Sequence, residues 1–225
     1  MNSYCLFGAI GGCTDTYLIQ TLNAGFHATA LARTPSKLVD MLHAQGITIP
    51  SPTMMQAPLM QMSLRRPVTI DNPEICATAT KNIIKALQEI YKAQSSTALN
   101  KPSITVISTT GVSDVKEDVP FAFRILYHVV LADPHNDKKE MERLTTEIAG
   151  NIGAFRGSVI VRPSLLTGDQ SVKGGQGWEK LRVGREDEPA VGYTVHRADV
   201  GQWIFEQVVK TGGKVRFGER ITLTN

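Results

Sequence analysis

Residues 4–33, YCLFGAIGGCTDTYLIQTLNAGFHATALAR, decide how this chain folds. An apolar run, Tyr4–Phe7, meets a glycine cluster at Gly8, Gly11 and Gly12. Apolar residues at helical spacing follow (Tyr17, Leu18, Leu22), then Gly25, then a second apolar run, Ala28–Ala32, closed by Arg33. The order is strand, tight turn, helix, strand. Such a unit offers the N–H groups of a helix start to an anion, and its glycine turn is the fingerprint of a dinucleotide pyrophosphate site. Gly8 lets the chain turn sharply out of the strand, and a Cβ at Gly11 would fill the space of the phosphates. The third glycine of the pattern lets the helix lie close on the strand; it falls at position 14, where this chain has Thr14. The expected cofactor contacts of the turn are Gly8, Ile10, Gly11, Gly12, Cys13 and Thr14.

Arg33, Thr34 and Lys37 follow the second strand. Sites that prefer NAD carry an acidic residue here for the ribose 2′-hydroxyl, whereas an arginine accommodates a 2′-phosphate. Guanidinium is a planar fork of donors suited to phosphate oxygens, and Lys37 adds a second positive charge about one turn later. The expected cofactor is therefore NADP(H). A solvated basic patch opening a surface helix is the plainer reading of the same residues.

At 225 residues the chain has the size of one α/β domain, and we expect a single unit over 1–225. Its hydrophobic content of 42% is that of a soluble globular protein, and no apolar stretch approaches the ~20 residues of a membrane span. A net charge of +3, dispersed along the chain, argues against nucleic acid as a partner. No targeting segment is read at the N-terminus, and Cys5, Cys13 and Cys76 are odd in number without CxxC spacing. The expectation is a cytoplasmic protein with reduced thiols and no membrane partner. Cys13 either faces the cofactor or simply fills space inside the turn. No metal site is expected.

Further along, Leu38–Gln45 continues as a helix and Gly46–Ile49 reads as a third strand. Pro50–Pro67 holds four prolines and four methionines without a period, and reads as an irregular connection with one short helix around Leu59–Leu64. A helix opened by Asn72-Pro73-Glu74 runs through Tyr91 on an apolar face that includes Ile75, Ala79 and Ile83. Ser103–Ser108 is a β-branched strand, Phe121–Leu131 and Pro134–Ile148 are helical, and Ser158–Arg162 is a buried strand stopped by Pro163. Gly168–Glu188 reads as loop, Val191–Val195 as a short strand, Ala198–Lys210 as helix and Arg220–Leu223 as a last strand. This alternation predicts an α/β fold: one Rossmann-like domain with a doubly wound, mostly parallel sheet and helices on both faces.

With these segments in order (FGAIGGCT, ALARTPSKL, NPEICATATKNIIKAL, VISTTGVS, LADPHNDKKEMERL, SVIVRPSLLTG, YTVHRADVGQWIFEQV) the chain resembles the NmrA-like atypical short-chain dehydrogenase/reductases, the NAD(P)-binding Rossmann group that includes biliverdin reductase B-type flavin reductases. The resemblance runs over nearly the full length. It implies an NADP(H)-dependent oxidoreductase acting on a small organic substrate. NmrA itself binds dinucleotide without reducing anything, so a regulatory binding protein is the alternative, and a non-redox isomerase or cyclase is a third. Besides Thr14, two departures stand out. Between Ile49 and Asn72 the family carries a helix and a further strand, and here about twenty residues must serve. Either Pro67–Ile70 is a shrunken strand or the strand is missing, and a homodimer that bridges the gap is one outcome. The Tyr-x-x-x-Lys pair of typical members is absent too, since Leu131 lies four residues after Tyr127.

Ligands of open parallel sheets bind beyond the C-terminal ends of the strands. Thr109, Thr110 and Ser113 leave such an end, and their hydroxyls either meet nicotinamide ribose or substrate or satisfy their own turn. Tyr127 and His128 offer a proton donor and an acid–base group, or else a packed helix face. Lys138 stands, by the resemblance, where a lysine approaches the cofactor ribose; the expectation puts Asp137 at the helix cap and Lys138 in its first turn, with a surface ion pair to Glu142 as the plain alternative. The resemblance sets Arg162 and Pro163 in a turn over the nicotinamide. Arg197 and Asp199 are expected as a salt bridge and helix cap.

Overall fold

The structure is a computed structural model, and it describes residues 3–7, 11–32, 34–48, 73–93, 100–124, 127, 131–169 and 171–225. Contacts divide these into two compact units. One comprises the described residues of Met1–Met62, Leu166–Leu181 and Val195–Lys210; the other, those of Ser63–Leu165, Arg182–Thr194 and Thr211–Asn225.

In the first unit β1 (Ser3–Phe7) and β2 (His27–Leu31) pair in parallel, joined by α1 (Gly12–Asn23), with α2 (Pro35–Ala44) after them. Leu6, Leu18, Ile19, Ala32, Leu38 and Leu42 form the core, with Tyr4, Tyr17 and Leu22 packed against it. Both helices stop on a glycine with positive φ. Gly25 donates to Leu22 O and Phe26 to Thr21 O, while Gly46 donates to His43 O and Ile47 to Leu42 O. Each pair of bonds uses up carbonyls that a helix end leaves free, and Ile47 then packs on the core. This corrects the expected third strand: its described part, Gly46–Thr48, is the turn that closes α2 and the irregular chain after it. α6 (Arg197–Ile204), prolonged by a π-helical turn over Phe205–Val209, packs on α1.

In the second unit four strands lie in the order β3-β4-β8-β6. β3 (Ser103–Ile107), β4 (Gly157–Pro163) and β8 (Arg220–Thr224) are parallel, and β6 (Arg182–Arg185) runs antiparallel along the edge. Val159, Ile160, Val161, Ile221 and Leu223 are buried, as expected for parallel strands covered on both faces. α3 (Ile75–Ala93) and α4 (Ala132–Arg143) flank the sheet strands in sequence; α4 continues through a π turn, Leu144–Ile148, into α5 (Ala149–Asn151). Ala77, Ile84, Leu144, Ala149 and Ala154 pack these helices together. Two short strands, β5 (Leu165–Thr167) and β7 (Thr194–His196), pair separately.

The fold is α/β with mostly parallel strands, as the sequence pattern predicts. The loop expected over Gly168–Glu188 is interrupted by β6. An edge strand answers to one partner and keeps charges on its free side, so Arg182 and Arg185 hide it from a search for apolar alternation. Pro163 does not stop its strand: it pairs with Leu223, and its carbonyl accepts Thr110 N–H at 3.1 Å. The interval Ile49–Asn72, with the helix around Leu59–Leu64 and the strand Pro67–Ile70, lies outside the described residues.

Candidate functional site

Gly11 precedes α1 in extended backbone (φ −76°, ψ 130°), and the first helical bond is Asp15 N–H to Gly11 O at 2.9 Å. No side chain of a described residue caps this start. The N–H groups of its first turn therefore point out with the positive end of the helix dipole, the arrangement that suits a phosphate. Gly12 has a different reason to be glycine: a Cβ there would lie 2.4 Å from Arg197 Cδ. The close packing that the glycine pattern assigns to position 14 is met from the facing helix. A Cβ on Gly201 would come within 2.6 Å of Cys13 O and 2.7 Å of Thr16 Cβ, so α6 lies directly on the first turns of α1 past a half-buried Thr14. Cys13 is buried, and burial pushes its thiol up to about 12 against the pull of Arg197. It fills space as a protonated thiol.

Sequence reasoning missed Asp15. Its carboxylate is fully buried in the first turn of α1, takes one bond from Gln45 Nε2 at 3.0 Å, and leaves Oδ1 without a hydrogen-bond partner among the described residues. Burial raises its pKa to about 6, with the Gln45 bond opposing. α2 opens on Thr34, again without a side-chain cap, followed by Pro35; Lys37 is exposed in its first turn. Gly8, Ile10, Arg33 and His128 lie outside the described residues.

The expected salt bridge of Arg197 with Asp199 is not made. Residues two apart on a helix face different sides. Arg197 Nη1 donates to Gly168 O at 2.6 Å, while Asp199 accepts Gln176 N–H and Gly177 N–H at 3.1 and 2.9 Å. The cap is His196, whose Nδ1 accepts Ala198 N–H.

In the second unit the ladder of β3 runs on past the strand, Ser108 N–H donating to Val161 O and Thr110 N–H to Pro163 O. Lys138 Nζ donates to Ile107 O at 3.0 Å, which brings its ammonium to this strand end. Thr109 is half-buried beside it, whereas Thr110 is buried and hydrogen-bonded through its side chain to Tyr127. Tyr127 is only 3% exposed; burial raises its pKa, the Thr110 bond notwithstanding, so it stays a phenol at neutral pH. Ser113 Oγ accepts Val115 N–H at 3.3 Å and donates to Glu186 Oε1 at 2.9 Å, which favours its turn-building reading.

Asp137 corrects the sequence reading. It lies in the middle of α4, buried, and its two oxygens accept Cys76 N–H and Ala77 N–H at 2.9 Å each. It caps α3, not its own helix. A carboxylate four residues before Met141 on a buried stripe needs a partner, and that was its signal in the sequence. Nor does Lys138 pair with Glu142. Glu142 is buried against Arg162, at 2.6 Å from Nη2 and 3.0 Å from Nε, and Arg162 Nη1 reaches Glu186 at 2.8 Å. Burial pulls the Arg162 pKa down, but the two carboxylates more than offset it and hold the group charged. With Nε, Nη1 and Nη2 all bound to carboxylates, Arg162 anchors the strand, leaving the backbone of Pro163 and Ser164 to form the turn. Two further buried groups back the β3 end and were not singled out by sequence. Asp118 accepts Gly111 N–H at 2.7 Å, and His135 Nδ1 bonds Tyr127 O at 3.0 Å. Among the described residues no cluster of His, Cys, Asp and Glu could hold a metal ion, and no helix is long and apolar enough to cross a membrane.

No family model matches the chain. It is 40% identical to Reductase pytE of Aspergillus terreus over 256 positions, covering 97% of this chain and 96% of that protein. It is 37% identical to Oxidase pynE of Aspergillus niger over 271 positions, covering 96% of each. Both alignments are longer than this chain's 225 residues, so both relatives carry stretches that it lacks. Among solved structures, a short-chain dehydrogenase/reductase from Veillonella parvula in complex with NADP superposes with a TM-score of 0.60 at 15% identity, covering all of this chain and 94% of that one. The oxidoreductase ylbE from Lactococcus lactis gives a TM-score of 0.56 at 15% identity, covering 100% and 91%.

Proposed function

The chain belongs to the atypical short-chain dehydrogenase/reductases, and on that premise we propose that it is an NADP(H)-dependent oxidoreductase acting on a small organic substrate. The observation that carries the cofactor is the start of α1: extended Gly11, no side-chain cap, and a first turn of N–H groups without a side-chain acceptor. Residues present fit the group. Gly8, Ile10, Gly11, Gly12, Cys13 and Thr14 supply the backbone that holds the pyrophosphate. Arg33, Thr34 and Lys37 take the 2′-phosphate, and no acidic residue stands in the first turn of α2 to repel it. By the family resemblance, Lys138, Thr109, Thr110, Arg162 and the backbone of Pro163 would meet the ribose and nicotinamide. Bound, the cofactor supplies or accepts the hydride.

Tyr127 is buried and lacks its lysine, so the proton that accompanies the hydride is drawn from solvent or substrate, as in the flavin reductase-type members. The same observation favours a second reading, an NmrA-like regulatory binder of NADP(H) without turnover. Both readings place the whole chain, 1–225, in the cytosol as one cofactor-binding domain, in line with its three free thiols. A thermal-shift series with NADPH, NADP⁺ and NADH tests the cofactor. NADPH at 100 times its Kd should stabilise by ~2.7 kcal/mol and NADH at the same concentration by less. Equal shifts would remove the NADP preference. Consumption of NADPH in the presence of quinone or carbonyl acceptors then separates the oxidoreductase from the binder.

A further inference from the structure

Four rings run outward from the end of β3. His135 and Tyr127 lie at 5.2 Å between centroids, Tyr127 and Phe123 stack at 6.1 Å and 22°, and Phe123 meets Tyr193 edge-on at 5.0 Å and 85°. The inner two are buried. Gly111, in the left-handed region with φ +86°, leaves them their room: a Cβ there would lie 2.7 Å from Tyr127 Cδ1 and 3.2 Å from His135 Cε1. The outermost ring, Tyr193, is 52% exposed. Its carbonyl accepts the N–H of Leu165 at 3.2 Å, and Leu165, two residues beyond Pro163, is itself 43% exposed. The chain of rings thus begins at the C-terminal end of β3 and finishes beside the C-terminal end of its parallel neighbour β4.

That edge is where ligands of a parallel sheet lie. Here it bears an exposed ring fixed by a second ring, next to an exposed leucine. Arg162 behind it is buried and already paired with carboxylates. A tyrosine face so held offers a flat, uncharged platform, and ring partners in offset or edge-on contact gain ~0.5–1.5 kcal/mol beyond the area they bury. We propose that Tyr193, positioned by Phe123 and joined by Leu165, is the specificity-determining wall of the substrate site, and that the substrate class is a flat, uncharged, conjugated carbonyl compound. The inference rests on the oxidoreductase reading for the reaction, and on the ring geometry alone for the shape of the ligand.

The test uses the full chain with and without NADP⁺ and two probes of equal carbon count, 1-naphthol and its saturated counterpart 1-decalol, by isothermal titration calorimetry. Unmodified protein should bind 1-naphthol at least tenfold more tightly than 1-decalol. Tyr193→Ala should lose about tenfold in 1-naphthol affinity, ~1.4 kcal/mol, and change 1-decalol little; Tyr193→Phe, which keeps the ring, should bind as the parent does. Equal affinities for the two probes, no binding of 1-naphthol, or a Tyr193→Ala constant within twofold of the parent would overturn the wall. NADPH-induced thermal shifts on the same proteins keep the two ideas apart. Protein that binds 1-naphthol as described but not NADPH retains the wall and loses the oxidoreductase reading; the reverse result loses the wall alone.

Discussion

Two helices of this chain begin in opposite ways. α3 starts against the carboxylate of Asp137, sixty residues further along the chain, which accepts the N–H groups of both Cys76 and Ala77. α1 starts on extended Gly11, and no described side chain caps it. Every helix start leaves about four N–H groups to be satisfied. Where a side chain supplies the acceptor, the helix end is part of the scaffold; where no described side chain does, water or a bound anion takes the N–H groups. The open start of α1 is what the proposed phosphate site requires.

The contrast is broken most forcefully from the structural side. Asp137→Ala should leave two N–H groups, one part-buried and one buried, without acceptors, costing about 2–6 kcal/mol at ~1–3 kcal/mol each. Urea unfolding reads the loss, and Asp137→Asn, which keeps one oxygen, should fall between the two. A loss below ~1 kcal/mol for the alanine variant would mean that the bonds matter little.

On the other helix, Gly11→Val should spare the fold, because φ −76° with ψ 130° is extended backbone open to any residue. It should remove the stabilisation by NADPH, ~2.7 kcal/mol at 100 times Kd, while the melting temperature of the free protein stays put. Retained stabilisation would make the turn structural, and the comparison would collapse.

Asp15 sharpens it, because it brings an acid to the α1 start without capping it. Its folded pKa of about 6 stands above the ordinary 3.8, so folding opposes its ionisation. The contribution to stability is fully present below pH 3.8 and is lost as pH rises to about 6. Asp15→Asn should therefore stabilise the protein at pH 7 by on the order of 2 kcal/mol and have no effect near pH 3.5. Urea midpoints across that range decide it, and a gain of the same size at both ends would refute the assignment.

The smallest effect concerns the third helix start, that of α2. Arg33→Asp should reverse or abolish the preference for NADPH over NADH, a change of about tenfold or ~1.4 kcal/mol. Unchanged relative affinities in that variant would leave Arg33 as a solvated basic residue.

The part of the fold set by local pattern could be read in advance. β1, α1 and β2, the β-branched run of β3, and the apolar stripes of α3 and α4 all reflect periodicities that each segment carries by itself. Features that depend on a distant partner could not. Asp137 looks like a cap for its own helix until α3 is placed beside it, and Arg162 looks free until Glu142 and Glu186 surround it. β6 is hidden because this edge strand carries arginines at both ends, Arg182 and Arg185, and a glycine, Gly184, set by the close approach of Ala190 N. For the candidate site, the glycine turn and Lys138 were legible as residue types in order. The ring sequence His135, Tyr127, Phe123 and Tyr193 was not, since its members come from three separated stretches of chain.

The meeting of Gly201 with Cys13 and Thr16 has an evolutionary corollary. Position 201 is distant in sequence from the turn it supports, yet any side chain there would push on the first turns of α1, where the phosphate site is proposed. A library randomised at 201 should return glycine almost alone. Trimming Thr16 should not rescue Gly201→Ala, because the nearer clash, at 2.6 Å, is with the backbone oxygen of Cys13, which no substitution removes.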